Sequence, residues 1–370
     1  MTADWTQALL AWFDREKRDL PWRDPDKAPP GLRRDPYSVI VSEFMLQQTQ
    51  VAAVIPYYLR FMEAWPDFTA LAGASEDLVL KAWEGLGYYR RARNLLALAR
   101  QVVKDYGGLL PSDRKQLLEL PGIGPYTAGA VRAFAFNLPQ AAVDGNVVRV
   151  FARLDAMPHV QGDPKALRAV SSQLEDLFPQ GRAGDFAEAL MELGAVCCLP
   201  AGPDCGACPL SAACRAFLSG TVLDYPVKAR TPERPVSHLT YLLIHDGRSV
   251  FVSKRPQGLL EGLYEFIWLE GRTGPEEEVR IRQAVEELTG RTQIQADFKG
   301  FKRSVFSHRI WDMAFWEVRI RELELPLVFQ DKGGEAPTLI RVDIEDVRQM
   351  PFPAFMAGWR DTFLEEQSGQ

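Results

Sequence analysis

The chain has 370 residues, of which 46% are hydrophobic and 25% charged, a composition typical of a soluble globular protein with two or three domains. Its formal net charge of −6 is mild evidence against a nucleic-acid partner, although a local basic face would override it. No apolar run approaches the roughly 20 residues of a membrane helix, and charges interrupt the N-terminal segment. We therefore expect a cytoplasmic protein without a signal peptide.

The chain has helical periodicity from its start to about residue 220. Asp35 and Pro36 are the expected N-cap and first helical residue of the stretch DPYSVIVSEFMLQQTQVAAVIPYYLRFM. Further helices are predicted for SEDLVLKAWEGLG, RRARNLLALARQVVKDYG, DRKQLLEL, TAGAVRAFAF, PKALRAVSSQLEDLF and GDFAEALMELGAV.

The pattern changes after the last cysteine. The proline- and charge-rich segment DYPVKARTPERPVS predicts a linker over residues 224–237. Two strand-like runs follow, HLTYLLIH and SVFVSKR, joined by DGR as a hairpin turn, then the helix PEEEVRIRQAVEELTG and further strands in FKRSVFSHRIWDMAFWEVRI. We predict a mainly α N-terminal domain over residues 1–223 and an α+β C-terminal domain over residues 238–370.

All five cysteines lie between residues 197 and 214, and four of them have the spacing C-x6-C-x2-C-x5-C: Cys198, Cys205, Cys208 and Cys214. An odd number of thiols in one short loop is a poor disulfide framework and a good metal site. Four sulfur ligands suit zinc or an iron–sulfur cluster, and the spacing alone leaves the metal open. The alternative is a set of free structural thiols, which cysteines among proline and glycine disfavour.

The segment LPGIGPYTAGAVRAF, residues 120–134, predicts a helix–hairpin–helix. Gly122 and Gly124 bend the chain between two helices, so that the loop amides and the dipole of the second helix face a phosphate. Such backbone binding needs no lysine, and an acidic protein is able to use it. The alternative is an ordinary turn between two helices.

Two acidic residues are candidates for acid–base chemistry. Glu43 shares a helix side with apolar residues, and partial burial would raise its pKa and let it carry a proton at neutral pH. Asp144 lies in AAVDGNVVRVFARL, where a turn or helix cap is its ordinary role. A protonated and an ionised carboxyl group together are suited to breaking a glycosidic bond.

These motifs, in this order and with SEFMLQQTQV, resemble the endonuclease III superfamily of base-excision DNA glycosylases, and within it the MutY-type adenine DNA glycosylases. The similarity runs from about Trp12 to Cys214. It implies a helix–hairpin–helix glycosylase fold whose cysteine loop, residues 198–214, holds a [4Fe-4S] cluster.

The resemblance also implies that Glu43 protonates the flipped adenine and that Asp144 stabilises the sugar cation or is attacked by it. Tyr126 stands where bifunctional relatives have a lysine, which implies a monofunctional enzyme.

The resemblance also implies contacts with substrate. The adenine pocket would be formed by Trp22, Arg23, Leu46, Val51, Glu188 and Met191. DNA contacts would come from Gln48, Thr49, Leu86, Tyr88, Gly122 and Gly124. A segment longer than the family pattern, DPDKAPPGLR at residues 24–33, follows the pocket residues of LPWR.

The C-terminal domain resembles the MutT-like, Nudix-type domain of the same family. Its helix lacks the Gly/Glu/Arg pattern that holds magnesium in Nudix hydrolases, so we expect binding without hydrolysis. Phe306, Ser307 and His308 match the element that recognises 8-oxoguanine. Without the resemblance, His308 would be interpreted as a lone strand histidine.

The leading hypothesis is an enzyme, a monomer that removes adenine paired with 8-oxoguanine or guanine in duplex DNA, with no membrane partner. The second is a non-catalytic DNA-damage binder or redox sensor, which has no need of Glu43 and Asp144 together. Two closer rivals are a bifunctional lyase, which Tyr126 disfavours, and a Nudix nucleotide hydrolase, which the altered helix disfavours.

Overall fold

The computed structural model describes residues 3–228, 233–321 and 339–368. Two compact units make up the chain. The first consists of Met1–Gly73 and Asn94–Thr231, and the second of Ala74–Arg93 and Pro232–Gln370. The second unit therefore includes a short segment from the N-terminal half of the sequence. The predicted boundaries 1–223, 224–237 and 238–370 stay a prediction.

The first unit is helical. Its helices are α1 (Ala3–Glu16), α2 (Pro36–Leu46), α3 (Val51–Ala64), α4 (Phe68–Ala72), most of α6 (Arg90–Tyr106), α7 (Arg114–Leu118), α8 (Pro125–Phe134), α9 (Gly145–Leu154), α10 (Pro164–Glu175), α11 (Ala183–Val196) and α12 (Arg215–Leu218). Among the described residues, no helix of either unit is long and apolar enough to cross a membrane.

The helical pattern that starts at Asp35 is divided into two helices. Asp35 caps α2 as predicted, because its carboxylate accepts hydrogen bonds from the backbone N–H groups of Tyr37 and Ser38. The chain then turns at Gln48, whose φ of 58° lies in the left-handed region, before α3 begins. The periodicity did not reveal this break.

A hydrophobic core joins α1, α9, α10 and α11. Val147 and Phe151 on one side of α9 pack in the same cluster as Phe13 of α1 and Phe186 and Leu190 of α11. Apolar residues spaced three or four apart form such a face on a helix. This packing fixes the N-terminal end of α9, where Asp144 lies.

The second unit is a mixed sheet with helices on both faces. Its elements are α5 (Glu76–Ala82), β1 (Val236–His245), β2 (Ser249–Lys254), β3 (Tyr264–Glu265), β4 (Ile267–Glu270), α13 (Glu278–Thr289), β5 (Ile294–Val305), β6 (Ile310–Ile320), β7 (Leu339–Asp343), α14 (Ile344–Val347) and α15 (Ala354–Ser368). Over the described residues the strand order is β3-β2-β1-β6-β5, with β4 paired to β1 and β7 to β2. The β1–β6 pair is parallel, and β1 and β2 form the predicted hairpin.

Alternate residues of β1 enter two different cores. Tyr241 and Leu243 pack with Met356 and Phe363 of α15, while Leu242 and Ile244 pack with residues of α13. Successive side chains of a strand point to opposite faces of the sheet. A strand with helices packed on both faces therefore has a continuous apolar run in its sequence. A helical N-terminal part followed by an α+β part is the fold class that the sequence predicted, and it is confirmed.

Candidate active site

Glu43 lies in the middle of α2, and only 5% of it is exposed. Burial raises the pKa of its carboxyl group to about 7. A hydrogen bond from Tyr126 acts in the opposite direction, and the negative charges of Asp144 and Glu188 raise the pKa further. Glu43 therefore has the protonation equilibrium of a general acid at neutral pH.

Tyr126 comes from the hairpin that the sequence predicted. Gly124 and Pro125 start α8, and the hydroxyl of the next residue, Tyr126, hydrogen-bonds to the carboxyl group of Glu43. The same hydroxyl lies 3.9 Å from the sulfur of Met191. Burial raises the pKa of Tyr126, and the neighbouring carboxyl groups raise it further. The phenol therefore keeps its proton and orients Glu43.

Asp144 is the N-cap of α9. Its Oδ1 accepts a 2.8 Å hydrogen bond from the backbone N–H of Val147, and its Oδ2 accepts one of 2.8 Å from the side-chain amide of Asn146. Burial raises the pKa of Asp144, while these hydrogen bonds and the charge of Arg149 oppose that rise. The pKa of both carboxyl groups is therefore raised by burial, but only Asp144 accepts two short hydrogen bonds that favour its ionised form.

A chain of three hydrogen bonds ties Asp144 to the cysteine loop. Asn146 donates to Asp144, and its Oδ1 accepts from Nη2 of Arg149 at 2.8 Å. Nε of Arg149 donates to the carbonyl oxygen of Cys198 at 2.8 Å. Asn146 and Arg149 therefore hold the carboxylate of Asp144 in one rotamer. Asn146 and Arg149 were not predicted from the sequence, in which only the DGN triplet at residues 144–146 indicates such a role.

Glu188, predicted for the adenine pocket, is a buried anion that three arginines surround. Arg34 forms a bidentate pair with it at 2.5 Å, Arg33 contacts it at 2.6 Å and Arg23 at 3.2 Å. Burial alone would raise the pKa of Glu188, but the charges of Arg34, Arg33 and Arg23 outweigh it and hold the pKa below its ordinary value. Arg33 belongs to the segment 24–33, so this segment contributes directly to the site.

The remaining predicted pocket residues lie on the same unit. Trp22 is buried and meets the ring of Tyr58 edge to face at 5.3 Å between centroids. Leu46 ends α2 and Val51 begins α3, both half-buried beside the break between the two helices. Gln48 in this break is exposed and Thr49 is half-buried.

The hairpin packs directly against the helix that carries Glu43. Gly122 has a φ of 76°, and a Cβ there would lie 2.8 Å from Cβ of Asn94 and 2.9 Å from a ring carbon of Phe44. A larger residue would separate the hairpin from α2. Glycine at this position therefore sets the distance between the hairpin and Glu43.

The four predicted ligand cysteines line a single pocket together with Cys197 and Arg153. Burial raises the pKa of the Cys205 thiol, and the charges of Cys208, Cys198 and Cys214 would raise it further, so the four sulfurs lie within electrostatic reach of one another. In the described part of the chain, no three Cys, His, Asp or Glu side chains converge as the ligands of one metal ion would. Four cysteine thiolates in one loop are ligands that suit either zinc or an iron–sulfur cluster.

Cys197, which the sequence left without a role, is buried, and its thiol donates to the carbonyl oxygen of Asp204 at 3.2 Å. Arg153 of α9 donates to the sulfur of Cys198 at 3.3 Å and to the carbonyl oxygen of Leu199 at 2.7 Å. These contacts fold the loop around the pocket.

The other predicted residues belong to the second unit. Leu86 is buried and Tyr88 is 48% exposed, in the turn that precedes α6. Phe306, Ser307 and His308 form the turn between β5 and β6, where Phe306 packs against Trp311 and the side chains of Ser307 and His308 meet at 3.4 Å.

The raised pKa of Glu43 predicts a pH-dependent cost in stability. Between about pH 4.5 and 7 the folded protein holds a proton that the unfolded chain has released, so the free energy of unfolding falls as the pH rises through this range. Glutamine does not titrate, so Glu43→Gln is expected to remove this loss. The free energy of unfolding of the variant, relative to that of the wild type, is expected to rise by up to about 3 kcal/mol between pH 5 and pH 8. Denaturant unfolding at both pH values measures the gain. If the free energies of unfolding of the variant and the wild type differed by the same amount at pH 5 and at pH 8, the raised pKa of Glu43 would be contradicted.

Comparison with known proteins agrees with this geometry. Residues 41–176 match the HhH-GPD superfamily base excision DNA repair protein, and residues 240–358 match the NUDIX domain. Adenine DNA glycosylase of Homo sapiens is 39% identical, with 76% of this chain and 60% of the human protein covered. Adenine DNA glycosylase of Buchnera aphidicola subsp. Baizongia pistaciae is 32% identical, with 70% and 72% covered. A solved thermostable thymine-DNA glycosylase is 32% identical, with a TM-score of 0.51, and covers 58% of this chain and 95% of its own.

The fold and these matches define an HhH-GPD base excision DNA repair protein. The chain belongs to the adenine DNA glycosylase family, which confirms the resemblance drawn from its motifs. It spans about half the length of the mammalian relatives that it matches, between 40% and 60% of each.

Proposed function

We propose that the protein is a monofunctional base-excision DNA glycosylase that hydrolyses the N-glycosidic bond of adenine paired with 8-oxoguanine or guanine in duplex DNA. The observation that carries the proposal is the buried carboxyl group of Glu43, with a pKa of about 7, which interacts with the hydroxyl of Tyr126 and lies within electrostatic reach of Asp144. Family membership and the order of the motifs support the choice of adenine.

The reaction begins after adenine has left the base stack, because its glycosidic bond is inaccessible inside the duplex. Glu43 gives its proton to the base, the bond between base and sugar breaks, and the electron pair leaves with the neutral adenine. The sugar becomes a cation, which the carboxylate of Asp144 stabilises or attacks. Water then adds to the sugar carbon, and its proton restores Glu43.

Tyr126 makes the enzyme monofunctional. A lysine amine at this position would form a Schiff base with the sugar and lead to strand cleavage. The phenol has no such chemistry, and burial holds it in its neutral form. The product is therefore an abasic site in an intact strand.

The remaining roles follow the family pattern. Trp22, Arg23, Leu46, Val51, Glu188 and Met191 form the adenine pocket. Gln48, Thr49, Leu86, Tyr88, Gly122 and Gly124 contact DNA, and Phe306, Ser307 and His308 recognise 8-oxoguanine. Because the Glu188 carboxylate is shared by three arginines, we expect it to act as an ionised acceptor in the pocket.

The cysteine pocket is proposed to hold a [4Fe-4S] cluster through Cys198, Cys205, Cys208 and Cys214. The bound cluster would cross-link the loop and take no part in base removal. Arg149 and Arg153 already attach this loop to α9. Iron and sulfide analysis of the purified protein tests the assignment, with four of each expected per chain from the proposed cluster. A zinc-loaded protein would contradict it.

The direct test is a glycosylase assay on duplexes with A:8-oxoG, A:G, A:T and C:8-oxoG pairs, each read with and without alkali. Adenine release from the first two pairs, with strand breaks only after alkali, is expected. Breaks without alkali would indicate a lyase, and no release from any pair would leave a DNA-damage binder.

Tyr126→Phe is expected to extend activity to higher pH. The hydrogen bond from the phenol favours the ionised form of Glu43, so its loss raises the pKa of that carboxyl group. Single-turnover rates between pH 5 and 10 measure the shift, with Tyr106→Phe at the end of α6 as a matched control. A profile that moves toward lower pH would contradict the role given to Tyr126.

A further inference from the structure

The turn that carries Tyr88 is held by residues far away in the sequence. We call residues 84–88 the probe turn and residues 350–360 the C-terminal anchor. Both belong to the second compact unit, although the probe turn lies within the sequence of the helical domain.

The probe turn has an unusual backbone. Gly85 and Gly87 have φ values of 107° and 72°, and Tyr88, which is not a glycine, has a φ of 48°. A left-handed conformation costs free energy for a residue with a Cβ and persists only where the surroundings hold it. Within the segment itself, Trp83 donates to the carbonyl oxygen of Gly87 at 3.2 Å, and so does Arg91 at 3.0 Å. The ring of Tyr88 remains half exposed.

The first attachment to the C-terminal anchor is an ion pair at the start of the turn. Arg360 is only 2% exposed and binds both carboxylate oxygens of Glu84, at 2.8 and 3.0 Å. The backbone N–H of Phe352 donates to the same carboxylate at 2.9 Å. A buried bidentate pair fixes both orientation and position.

The second attachment is the hydroxyl of Tyr89, the residue after the turn. It accepts from the backbone N–H of Gly85 at 3.4 Å and donates to the carbonyl oxygen of Phe352 at 3.2 Å. Tyr89 is 3% exposed. One buried oxygen thus links the strained backbone of the turn to the anchor.

Contacts at both ends of the segment 74–93 support the same arrangement. Asp77 pairs with Lys254 at 2.7 Å and accepts from the hydroxyl of Tyr264 at 3.0 Å, and Arg93 pairs with Glu261 at 2.9 Å. Gly262 approaches so closely that a Cβ there would lie 3.1 Å from a carboxylate oxygen of Glu76.

We propose that the C-terminal anchor holds the probe turn in the conformation that presents Tyr88 to the duplex, with Tyr89, Glu84 and Arg360 as positioning residues. The C-terminal domain then acts on mispair selection in two ways, through the 306–308 turn and through the position of Tyr88. This inference rests on the proposed function for the DNA-entering role of Tyr88. The rigidity of the turn is a separate property of the free protein.

The experiment uses the full chain with Tyr89→Phe, which removes only the hydroxyl. Tyr241→Phe is the matched control, because Tyr241 is buried in the same unit and its hydroxyl interacts with Glu265 and Arg255, which lie outside the probe turn and the C-terminal anchor. Hydrogen exchange of residues 84–89 without DNA is expected to be about fivefold faster in Tyr89→Phe and unchanged in the control. Single-turnover adenine release from A:8-oxoG is expected to be about fivefold slower, while the melting temperature falls by only about 2–4 °C.

A second background separates positioning from general stability. In a Tyr88→Ala protein, Tyr89→Phe is expected to change the rate by less than about twofold, because the residue being positioned is gone. An equal loss in both backgrounds, or unchanged exchange of residues 84–89, would overturn the proposal. If the wild type released no adenine from any duplex, the proposed function would fail, and the exchange result would still decide whether the anchor holds the turn.

Discussion

Replacing Glu43 with glutamine is expected to slow adenine release from an A:8-oxoG duplex by about 10²–10⁴-fold, the usual contribution of a positioned general acid. Glutamine has nearly the same shape and still contacts Tyr126, but it has no acidic proton to give to the base. Single-turnover rates at pH 7 measure the loss. Binding of the same duplex is expected to change little, because Glu43 is buried within the helical unit.

Glu63→Gln is a suitable control for this substitution, since Glu63 is an exposed glutamate of α3. It makes the same chemical change and is expected to leave the rate unaltered. Base release at the wild-type rate by Glu43→Gln would show that the proton comes from another group.

The second large effect is expected for Asp144→Asn, with a loss of about 10²–10³-fold, comparable to the removal of one preorganised electrostatic group from an active site. Asparagine is as good an N-cap as aspartate, so the hydrogen bond to Val147 and the start of α9 are retained. The negative charge proposed to face the sugar cation is lost, together with the hydrogen bond from Asn146, because the amide nitrogen of asparagine cannot accept it. The rate is measured on A:8-oxoG, and the melting temperature is expected to stay near that of the wild type.

The chain contains a close control for this variant. Asp163 is the N-cap of α10, and its carboxylate accepts from the backbone N–H of Lys165 at 2.8 Å. Asp163→Asn repeats the exchange at a cap without a catalytic role. Equal rates for the two variants would mean that Asp144 acts only as a cap.

Much of this site was predictable because it depends on local sequence. The caps at Asp35 and Asp144, the glycine hairpin and the cysteine spacing are short patterns, and the structure brings their residues into one helical unit. Each pattern fixes a local conformation, and the order of the patterns along the chain identified the family.

The ion pairs of the site could not be predicted in this way. Arg33 and Arg34 meet Glu188 across more than 150 residues, and such a contact depends on how α2 and α11 pack. In the sequence alone, the two adjacent arginines of GLRRDPY would be interpreted as exposed charged residues on the protein surface. The break at Gln48 was missed for a similar reason, because hydrophobic periodicity continues on both sides of a single left-handed residue.

The second unit shows the same limit. In the turn before α6, Leu86 is buried and Tyr88 two residues later is half exposed, and no sequence pattern indicates this difference. The pairing of Glu84 with Arg360 joins positions 276 residues apart, and no local pattern at either position indicates it.

Glu43 and Asp144 would respond differently to selection for folding alone. A library of variants sorted only for abundance at neutral pH should lose Glu43, since a carboxyl group whose pKa is raised by burial makes the native state less stable at that pH. Position 144 should stay among Asp, Asn, Ser and Thr, because α9 requires a cap there. One member of the proposed catalytic pair is thus retained because the fold requires it, and the other only because of the proposed chemistry.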